Sequence, residues 1–383
     1  MKPSNRSNVD PFLVMDIMQE ASALEQKGQS IIHMEVGQPS SGASIDALRQ
    51  LYHKSLSNSL GYSVALGLPE LRERIAELYK SRYKLTIDPK RVLVTSGSSA
   101  AFILAFTAFF NAGDQILIGE PGYPSYKNII KSLSLQVELH STQIKDRFQL
   151  TPDSILNSSA AGVLVASPAN PTGISLRRSE LELLIASAQQ KKMTFISDEI
   201  YHGINFNGPD VSALELDDNA IIINSFSKYF SLTGWRLGWM IVPTPFVRVV
   251  EKLSQNLFIC PSHASQFLAL FTLNSSTKFD EKVHEYKINR DMLMAHLPKL
   301  GFSEIVEPDG AFYIYANIST FNQKSGSLVR DILTNAGVAI TPGKDFDSSR
   351  GNDTVRFSFA RSSDDIKEAI RRLTLWYESY IKI

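Results

Sequence analysis

The chain has 383 residues, 43% of them hydrophobic, and at about 100–200 residues per domain this length allows two or three domains. The 39 basic residues balance the 39 acidic ones, so no positive excess indicates nucleic-acid binding. The longest apolar run, Ala100 to Phe110 with Thr107 inside it, has 11 residues, whereas a membrane span needs roughly 20. No signal peptide is recognised, and the single cysteine, Cys260, excludes an internal disulfide. We therefore expect a globular, cytoplasmic protein with no nucleic-acid or membrane partner.

Motifs that commonly mark metal and nucleotide sites are missing from the sequence. The seven histidines are scattered, with no HExxH motif and no cysteine cluster, so a metal site has little support. Neither GxxxxGK[ST] nor GxGxxG occurs, which removes the two commonest glycine-loop nucleotide sites.

The predicted elements favour an α/β fold. A helical apolar pattern covers Pro11–Gln26, and a strand is expected at Ile31–Val36. From Arg91 to about Val242, short β-branched runs alternate with helical segments, as in a largely parallel sheet covered by helices. We expect strands at Val92–Thr95, Gln115–Gly119, Gly162–Ala166, Met193–Ser197, Ala220–Asn224 and Leu237–Val242, and helices at Ser98–Asn111, Tyr123–Leu133 and Arg178–Gln190.

The rest of the chain predicts a second, smaller α+β domain. A helical stretch runs from about Phe246 to Leu273, and a long polar helix is expected over Lys278–Leu300. A C-terminal helix follows a Ser362–Asp365 capping box. After the polar helix, strands are expected at Ala311–Ala316, Val338–Thr341 and Thr354–Phe359, with helices between them.

Lys228 lies among aromatic and hydroxyl side chains soon after a predicted buried strand. Partial desolvation there would lower the pKa of its amine, and a neutral amine is the form that makes a Schiff base. Taken alone, Lys228 could equally be a surface lysine in a loop. Arg236, between glycines and tryptophans, could hold a phosphate together with Ser225 and Ser227, or could form a buried ion pair.

A second candidate anion site lies where the first strand of this sheet runs into Ser96–Ser99 and an apolar helix, because free N–H groups at a helix start attract anions. The same residues could be only a helix cap. Asp198, Asn170 and Tyr123 also follow predicted strands, with Tyr201 close behind Asp198. Since open α/β sheets bind ligands at the carboxyl ends of their strands, these strand ends predict one shared cleft.

In order and spacing these residues resemble the class I and II aminotransferases, which are fold type I pyridoxal-phosphate enzymes. The resemblance extends from the Gly37-Gln38-Pro39 turn to Arg356 and includes Tyr62, the segment from Gly67 to Arg72, Gly97-Ser98-Ser99, Tyr123, Asn170-Pro171-Thr172-Gly173, Asp198, Tyr201, Ser225-x-Ser227-Lys228 and Arg236-x-Gly238. It implies a large domain, residues 46–280, with a mostly parallel seven-stranded sheet flanked by helices. It also implies a smaller α+β domain from residues 1–45 and 281–383, and a homodimer with shared active sites.

The resemblance implies a role for each matching position. Lys228 would form the Schiff base with pyridoxal 5'-phosphate and then act as general base. Asp198 would pair with the pyridine nitrogen and keep it protonated. Tyr201 and Asn170 would hydrogen-bond the ring oxygen, while Tyr123 would stack on the ring. The implied phosphate ligands are Gly97, Ser98, Ser99, Ser225, Ser227, Arg236 and, from the partner subunit, Tyr62.

Arg356 is similar to the family's ligand for the substrate α-carboxylate, with the Gly37 backbone and the Asn170 amide assisting. Taken alone, Arg356 could be an ordinary exposed strand residue. Ser99 stands where bacterial aspartate enzymes of the family commonly have a lysine that contacts an acidic side chain, and Tyr123 stands where many have tryptophan. These two departures weaken the assignment of a dicarboxylate donor.

We therefore expect an aminotransferase that moves the amino group of an L-amino acid to a 2-oxo acid, either 2-oxoglutarate or pyruvate. A carbon–sulfur β-lyase would use the same cofactor and the same first deprotonation. The shared motifs do not decide between the two, although the segments around Asp198 and Lys228 resemble the transaminase branch. A ligand-sensing regulatory module is a third interpretation. Transcription factors with an aminotransferase-like domain carry an added N-terminal DNA-binding domain, whereas here fewer than forty residues precede the first strand turn and the charge has no basic excess.

Overall fold

Strands and helices alternate along most of the chain. The structure is a computed structural model that describes residues 1–275 and 279–382. Its strands are β1 (Ile32–His33), β2 (Val92–Thr95), β3 (Gln115–Glu120), β4 (Gln136–Ser141), β5 (Gly162–Ala166), β6 (Thr194–Asp198), β7 (Ile221–Ser225), β8 (Gly238–Ile241), β9 (Tyr313–Asn317), β10 (Val338–Ala339), β11 (Thr341–Pro342) and β12 (Thr354–Ser358). Its α-helices are α1 (Leu13–Glu25), α2 (Ile45–Ser57), α3 (Pro69–Tyr83), α4 (Gly97–Phe109), α5 (Pro124–Ser132), α6 (Pro152–Leu156), α7 (Arg178–Lys191), α8 (Val247–Leu257), α9 (His263–Asn274), α10 (Phe279–His296), α11 (Ser325–Ala336) and α12 (Ser363–Tyr380).

The central sheet has seven strands in the order β2-β8-β7-β6-β5-β3-β4. Strands β7, β6, β5, β3 and β4 pair in parallel, whereas β8 runs antiparallel to β2 and β7. Both faces are covered, since Trp239 and Ile241 of β8 pack into one apolar cluster and Met240 packs into another. Burial on both faces requires the continuous apolar runs that mark these strands in the sequence. The expected α/β fold with a mostly parallel seven-stranded sheet is confirmed.

The remaining strands form two small sheets. Strands β11, β12 and β9 are antiparallel in that order, and β1 pairs in parallel with β10. One apolar cluster covers them and joins distant parts of the chain, because Ile17 and Ala21 of α1 share it with Leu373 and Trp376 of α12. The N-terminal and C-terminal segments are therefore packed together.

Most helices agree with the sequence patterns. The stretch from Phe246 to Leu273 is two helices, α8 and α9, since Pro261 interrupts it. Helices α2, α3 and α6 were not expected. The first residue of the predicted polar helix, Lys278, lies outside the described residues. Nowhere in residues 1–275 and 279–382 is a helix both long and apolar enough to cross a bilayer.

Three strand expectations also differ from the structure. The edge strand β4 was not expected, because most of its side chains are partly or fully exposed and lack an apolar run. The predicted strand Ile31–Val36 is paired only at Ile32–His33, and the carbonyl of Glu35 accepts side-chain hydrogen bonds instead of strand bonds. The predicted strand Val338–Thr341 divides into β10 and β11, which pair with different partners.

Candidate active site

A cavity of about 190 Å³ lies at the carboxyl ends of the parallel strands, between the central sheet and the small sheets. Twelve of the residues expected at the site line it: Gly37, Ser98, Ser99, Tyr123, Asn170, Asp198, Tyr201, Ser225, Ser227, Lys228, Arg236 and Arg356. They come from segments separated by more than 300 positions, and the strand order brings them together. The shared cleft expected from the strand ends is therefore present.

A larger surface groove, of about 880 Å³, lies between α11 and α12. Its charged side chains are bonded to neighbours: Asp331 accepts from the Trp376 indole at 2.9 Å, and Arg372 pairs with Glu368 at 2.8 Å. The size of a cavity therefore does not locate the functional site. The chemical groups that line the smaller cavity identify it as the candidate site.

Lys228 follows β7, and its Nζ donates a hydrogen bond to the Gly37 carbonyl at 2.7 Å. Burial, together with the positive charges of Arg356 and Arg236, lowers the pKa of Lys228 to about 8, although the negative charge of Asp198 opposes the shift. A lysine with this pKa has a substantial neutral fraction near neutral pH, which nucleophilic attack on a carbonyl requires. The lysine is thus in the cavity and partly desolvated, unlike a surface loop lysine.

Asp198 ends β6 and is 2% exposed. The Tyr126 hydroxyl donates a hydrogen bond to its Oδ2, and the Ile200 N–H donates to its Oδ1 at 3.1 Å. Burial raises the pKa of Asp198 to about 6, although these two hydrogen bonds oppose the shift. A buried carboxylate whose bonded partners are neutral is suited to a protonated ligand nitrogen in the cavity.

Arg356 lies on β12 and is 2% exposed, so it is not an ordinary exposed strand residue. Its guanidinium donates to Asn170 Oδ1 at 2.8 Å and to the Glu35 carbonyl. The rings of Tyr313 and Phe346 lie 4.4 and 4.6 Å from its Cζ. Its Nε is buried and has no hydrogen-bond partner among the residues that the structure describes. A positioned arginine with an unused donor fits a carboxylate ligand.

Helix α4 begins beside Arg236. Gly97 has φ +76°, a conformation that favours glycine, and a Cβ added there would lie 2.6 Å from Arg236 Nη2, so the arginine side chain would have to shift. Ser98 and Ser99 follow in the first turn, where backbone N–H groups have no partner within the helix. Arg236 is exposed and has no ion pair with a carboxylate among the described residues, in contrast to the alternative of a buried ion pair. The cradle fits a phosphate group.

The serines after β7 and Tyr201 complete the polar lining. Ser225 Oγ donates to Ser227 Oγ at 2.9 Å, and both side chains are buried. The hydroxyls of Tyr201 and Tyr313 are 2.7 Å apart. Tyr123 caps α5, and its ring meets that of Tyr126 edge-on with centroids 5.2 Å apart. These contacts hold hydroxyl and aromatic groups at fixed places around the cavity.

Two expected site residues do not line the cavity. Gly97 lies behind Ser98 and contributes through its approach to Arg236. Tyr62 is 84% exposed and lies outside the cavity of its own chain. Tyr62 therefore has no place in a site built from one chain alone.

Several cavity residues were missed by the sequence reasoning. Tyr126 could have been found, because it lies three residues after Tyr123 and so near it at a helix start. Tyr313 lies in a strand that was expected, yet nothing in its sequence marks it as facing a ligand. Phe12, Val14 and Met15 also line the cavity, and the sequence pattern placed them only within the predicted helix Pro11–Gln26.

Comparison with known proteins agrees with this geometry. The family model for class I and II aminotransferases matches residues 29–373. The valine–pyruvate aminotransferase of Mycobacterium tuberculosis is 42% identical over 381 residues, 98% of each chain. The (5-formylfuran-3-yl)methyl phosphate transaminase of Methanocaldococcus jannaschii is 32% identical, with 96% of each chain covered.

Solved structures are similar over the whole length. A putative aminotransferase from Silicibacter pomeroyi superimposes with a TM-score of 0.94 and 49% identity, over 99% of this chain and 100% of that one. An aminotransferase from Mycobacterium tuberculosis gives a TM-score of 0.96 at 40% identity, over 99% and 100% of the two chains. The chain therefore belongs to the class I and II aminotransferases.

Proposed function

We propose that the protein is a pyridoxal-phosphate-dependent aminotransferase that moves the amino group of an L-amino acid to a 2-oxo acid. The observation that carries this proposal is the convergence of Lys228, Asp198 and Arg356 on one cavity. The first is an amine of lowered pKa, the second a buried carboxylate, and the third a buried guanidinium with an unused donor. The reaction requires one group to attach the cofactor, one to hold its nitrogen protonated and one to bind the amino acid, and these three side chains supply them.

The residues present fit pyridoxal 5'-phosphate. Bound there, the cofactor would supply a ring that accepts the electron pair left when the Cα proton departs. Asp198 would hold the ring nitrogen, Tyr201 and Asn170 the ring oxygen, and Tyr123 the ring face. The phosphate would be held by Gly97, Ser98, Ser99, Ser225, Ser227 and Arg236.

Lys228 would act twice. Its neutral amine would attach the cofactor, and once the substrate amine replaces it, the same amine would take the Cα proton and return it at the cofactor carbon. The pKa of about 8 supports both tasks, because it leaves the amine able to bind and release a proton near neutral pH. The hydrogen bond to the Gly37 carbonyl holds Nζ inside the cavity.

Arg356 would bind the α-carboxylate of the substrate with its unused Nε donor and its Nη atoms. The Asn170 amide, already bonded to Arg356, and the backbone at Gly37 would assist. A Cβ at Gly37 would overlap the Tyr313 ring, so the close approach of this turn to Tyr313 requires glycine.

We also propose a homodimer with shared sites, in which Tyr62 of the partner subunit reaches the phosphate. This is supported by the exposure of Tyr62 outside its own cavity and by exposed apolar side chains close to it in the sequence, which include Tyr52, Leu56 and Val64. Within each subunit we propose a large domain of residues 46–280 and a smaller domain formed by residues 1–45 and 281–383. A cytoplasmic location is proposed from the single cysteine, which fits a reducing compartment.

For the acceptor, we propose pyruvate or 2-oxoglutarate. The printed name of the 42% identical relative pairs valine with pyruvate, whereas relatives near 30% identity are named aspartate aminotransferases. The neutral Ser99 in the cavity supports a donor without a second carboxylate.

The test is the visible absorption spectrum of the purified protein with pyridoxal phosphate, followed by single amino acids added without a keto acid. We expect one class of amino acid to convert the absorption of the lysine-bound cofactor to that of the aminated cofactor, with release of the matching keto acid. Release of pyruvate and ammonia with the spectrum unchanged would support a carbon–sulfur lyase instead. Cofactor binding with no turnover of any amino acid would support a regulatory module.

A further inference from the structure

A carboxylate from a distant part of the chain holds the first turn of α1. The N–H groups of Leu13 and Val14 donate to Asp345 Oδ1 and Oδ2 at 3.0 and 3.1 Å. Asp345 lies in the loop after β11 and is 4% exposed. The N-cap residue of α1 is Phe12, whose side chain makes no capping bond. Asp345 thus satisfies helix-start donors that the adjacent sequence leaves open.

The turn that Asp345 holds also faces the cavity. Phe12, Val14 and Met15 line it, and we call these three side chains the N-terminal wall. The Phe12 ring meets the Tyr123 ring edge-on, with centroids 6.1 Å apart. The N-terminal wall is apolar throughout, so it offers dispersion contacts and no partner for a charge.

A second contact fixes the segment just before the N-terminal wall. The Asp10 N–H donates to Asn128 Oδ1, and Asn128 Nδ2 donates to the Asp10 carbonyl, both at 3.3 Å. Asn128 lies on α5 beside the central sheet. The wall is therefore held between α5 on one side and the Asp345 loop on the other.

Among the described residues of this chain, the cationic side chains that line the cavity all have proposed tasks. They are Lys228, Arg236 and Arg356, for the amine chemistry, the phosphate and the α-carboxylate. A dicarboxylic donor would thus place its second carboxylate against the N-terminal wall or Ser99, where this part of the chain offers the desolvated charge no ionic partner.

We propose that Asp345 is a positioning residue which fixes the N-terminal wall over the cavity, and that this wall selects donors with uncharged, apolar side chains over dicarboxylic amino acids. The inference rests on the proposed function, since it concerns the side-chain subsite of the same cavity. The α-carboxylate contact at Arg356 is common to all donors, so the wall acts on the choice between donors. Because both half-reactions use the same cavity, the wall also favours pyruvate over 2-oxoglutarate as the acceptor.

The test compares leucine and glutamate as donors to the pyridoxal-phosphate-loaded protein. Three variants are measured: Asp345→Ala, Asp345→Asn, which retains one acceptor oxygen, and Ser362→Ala, which removes the N-cap of α12. For the wild type we expect leucine to be preferred. For Asp345→Ala we expect the leucine-to-glutamate ratio of kcat/KM to fall roughly tenfold, mainly through a higher KM for leucine. The leucine-to-glutamate ratio of Asp345→Asn should lie between those of the wild type and Asp345→Ala. Ser362→Ala should keep the wild-type ratio while lowering Tm.

A wild-type preference for glutamate, or an equal loss for both donors in Asp345→Ala, would overturn the inference. An equal loss would mean that the substitution acts on Arg356 through the adjacent Phe346. Failure of the wild type to turn over any amino acid would instead contradict the proposed function. If Asp345→Ala does not fold, Met15→Lys against Met15→Leu tests the same wall. The lysine should raise relative glutamate use, and an unchanged ratio would overturn the inference.

Discussion

The hydroxyl of Tyr126 donates a hydrogen bond to the buried carboxylate of Asp198. Tyr126 is 5% exposed and lies in the first turn of α5, whereas Asp198 ends β6. A neutral phenol, rather than a cation, is thus the side-chain partner of Asp198. The bond favours the ionised carboxylate without neutralising it, which leaves its charge available to a cofactor nitrogen.

Substituting Tyr126→Phe should raise the pKa of Asp198, because a hydrogen bond that stabilises the carboxylate is lost while burial remains. We expect the acidic limb of the pH profile of kcat to move to higher pH, and kcat at neutral pH to fall about tenfold. Tyr380→Phe, which removes a hydroxyl bonded to the Phe321 carbonyl away from the cavity, is the control. An acidic limb that stays in place would contradict the role of Tyr126.

Substituting Asp198→Asn should leave the cofactor bound through Lys228 and the phosphate cradle but remove most of the rate. An amide does not hold a ring nitrogen protonated, so the cofactor would lose its electron-accepting form. We expect kcat to fall at least about hundredfold. Cofactor content is measured by absorbance after gel filtration, and a near-normal kcat would show that another group protonates the ring.

The pKa of Lys228 near 8 predicts how cofactor attachment depends on pH. Only the neutral amine attacks the cofactor aldehyde, so the rate of attachment to the cofactor-free protein should rise with pH and level off above about 8. Stopped-flow absorbance between pH 6 and 10 measures it. Lys228→Ala should bind no cofactor covalently and have no turnover. A midpoint near the ordinary lysine pKa of about 10.4 would mean that the amine is not desolvated.

Substituting Arg356→Lys keeps the charge but loses the planar fork and the stacking between Tyr313 and Phe346. We expect KM for amino-acid donors to rise at least about tenfold, with a smaller change in kcat. Steady-state kinetics with a saturating keto acid separates the two constants. An unchanged KM would place the α-carboxylate elsewhere in the cavity.

His33 predicts a pH dependence of stability away from the chemistry. The hydrogen bond from Nδ1 to Glu35 at 2.8 Å raises its pKa to about 9, with burial opposing and Glu25 contributing. The folded protein thus binds this proton more tightly than the unfolded chain does. The stabilisation is complete below about pH 6.5, the unfolded value, and is lost as pH rises to about 9. Tm should fall less between pH 6.5 and 9.5 in His33→Gln than in the wild type, and parallel curves would rule out the contribution.

Much of the fold follows from local patterns. Strands β2, β5 and β7 are continuous apolar runs because the central sheet is covered on both faces. Helix α3 was missed although Leu71, Ile75 and Tyr79 on its buried side recur at the four-residue spacing of a helix. The edge strand β4 has no apolar run by which to find it.

Only part of the candidate site, like only part of the fold, can be predicted from local patterns. Asp198 and Ser225 end strands, and the topology rule for parallel sheets places such residues at one edge. The contacts of Tyr126 and Asp345 depend on long-range packing instead. Tyr126 is 72 positions from Asp198, and Asp345 is 331 from Val14. No local spacing rule reaches across such separations, so these contacts require the structure, although the spacing to Tyr123 could have marked Tyr126 as a neighbour of the site.

Tyr313 joins the two halves of the cavity through one side chain. Its hydroxyl lies 2.7 Å from that of Tyr201, and its ring lies against the guanidinium of Arg356. A group bound at Tyr201 and a carboxylate bound at Arg356 would therefore both act on Tyr313, the first through its hydroxyl and the second through its ring. The binding free energies of the two ligands would then be linked, and each ligand would change the affinity for the other by the same factor.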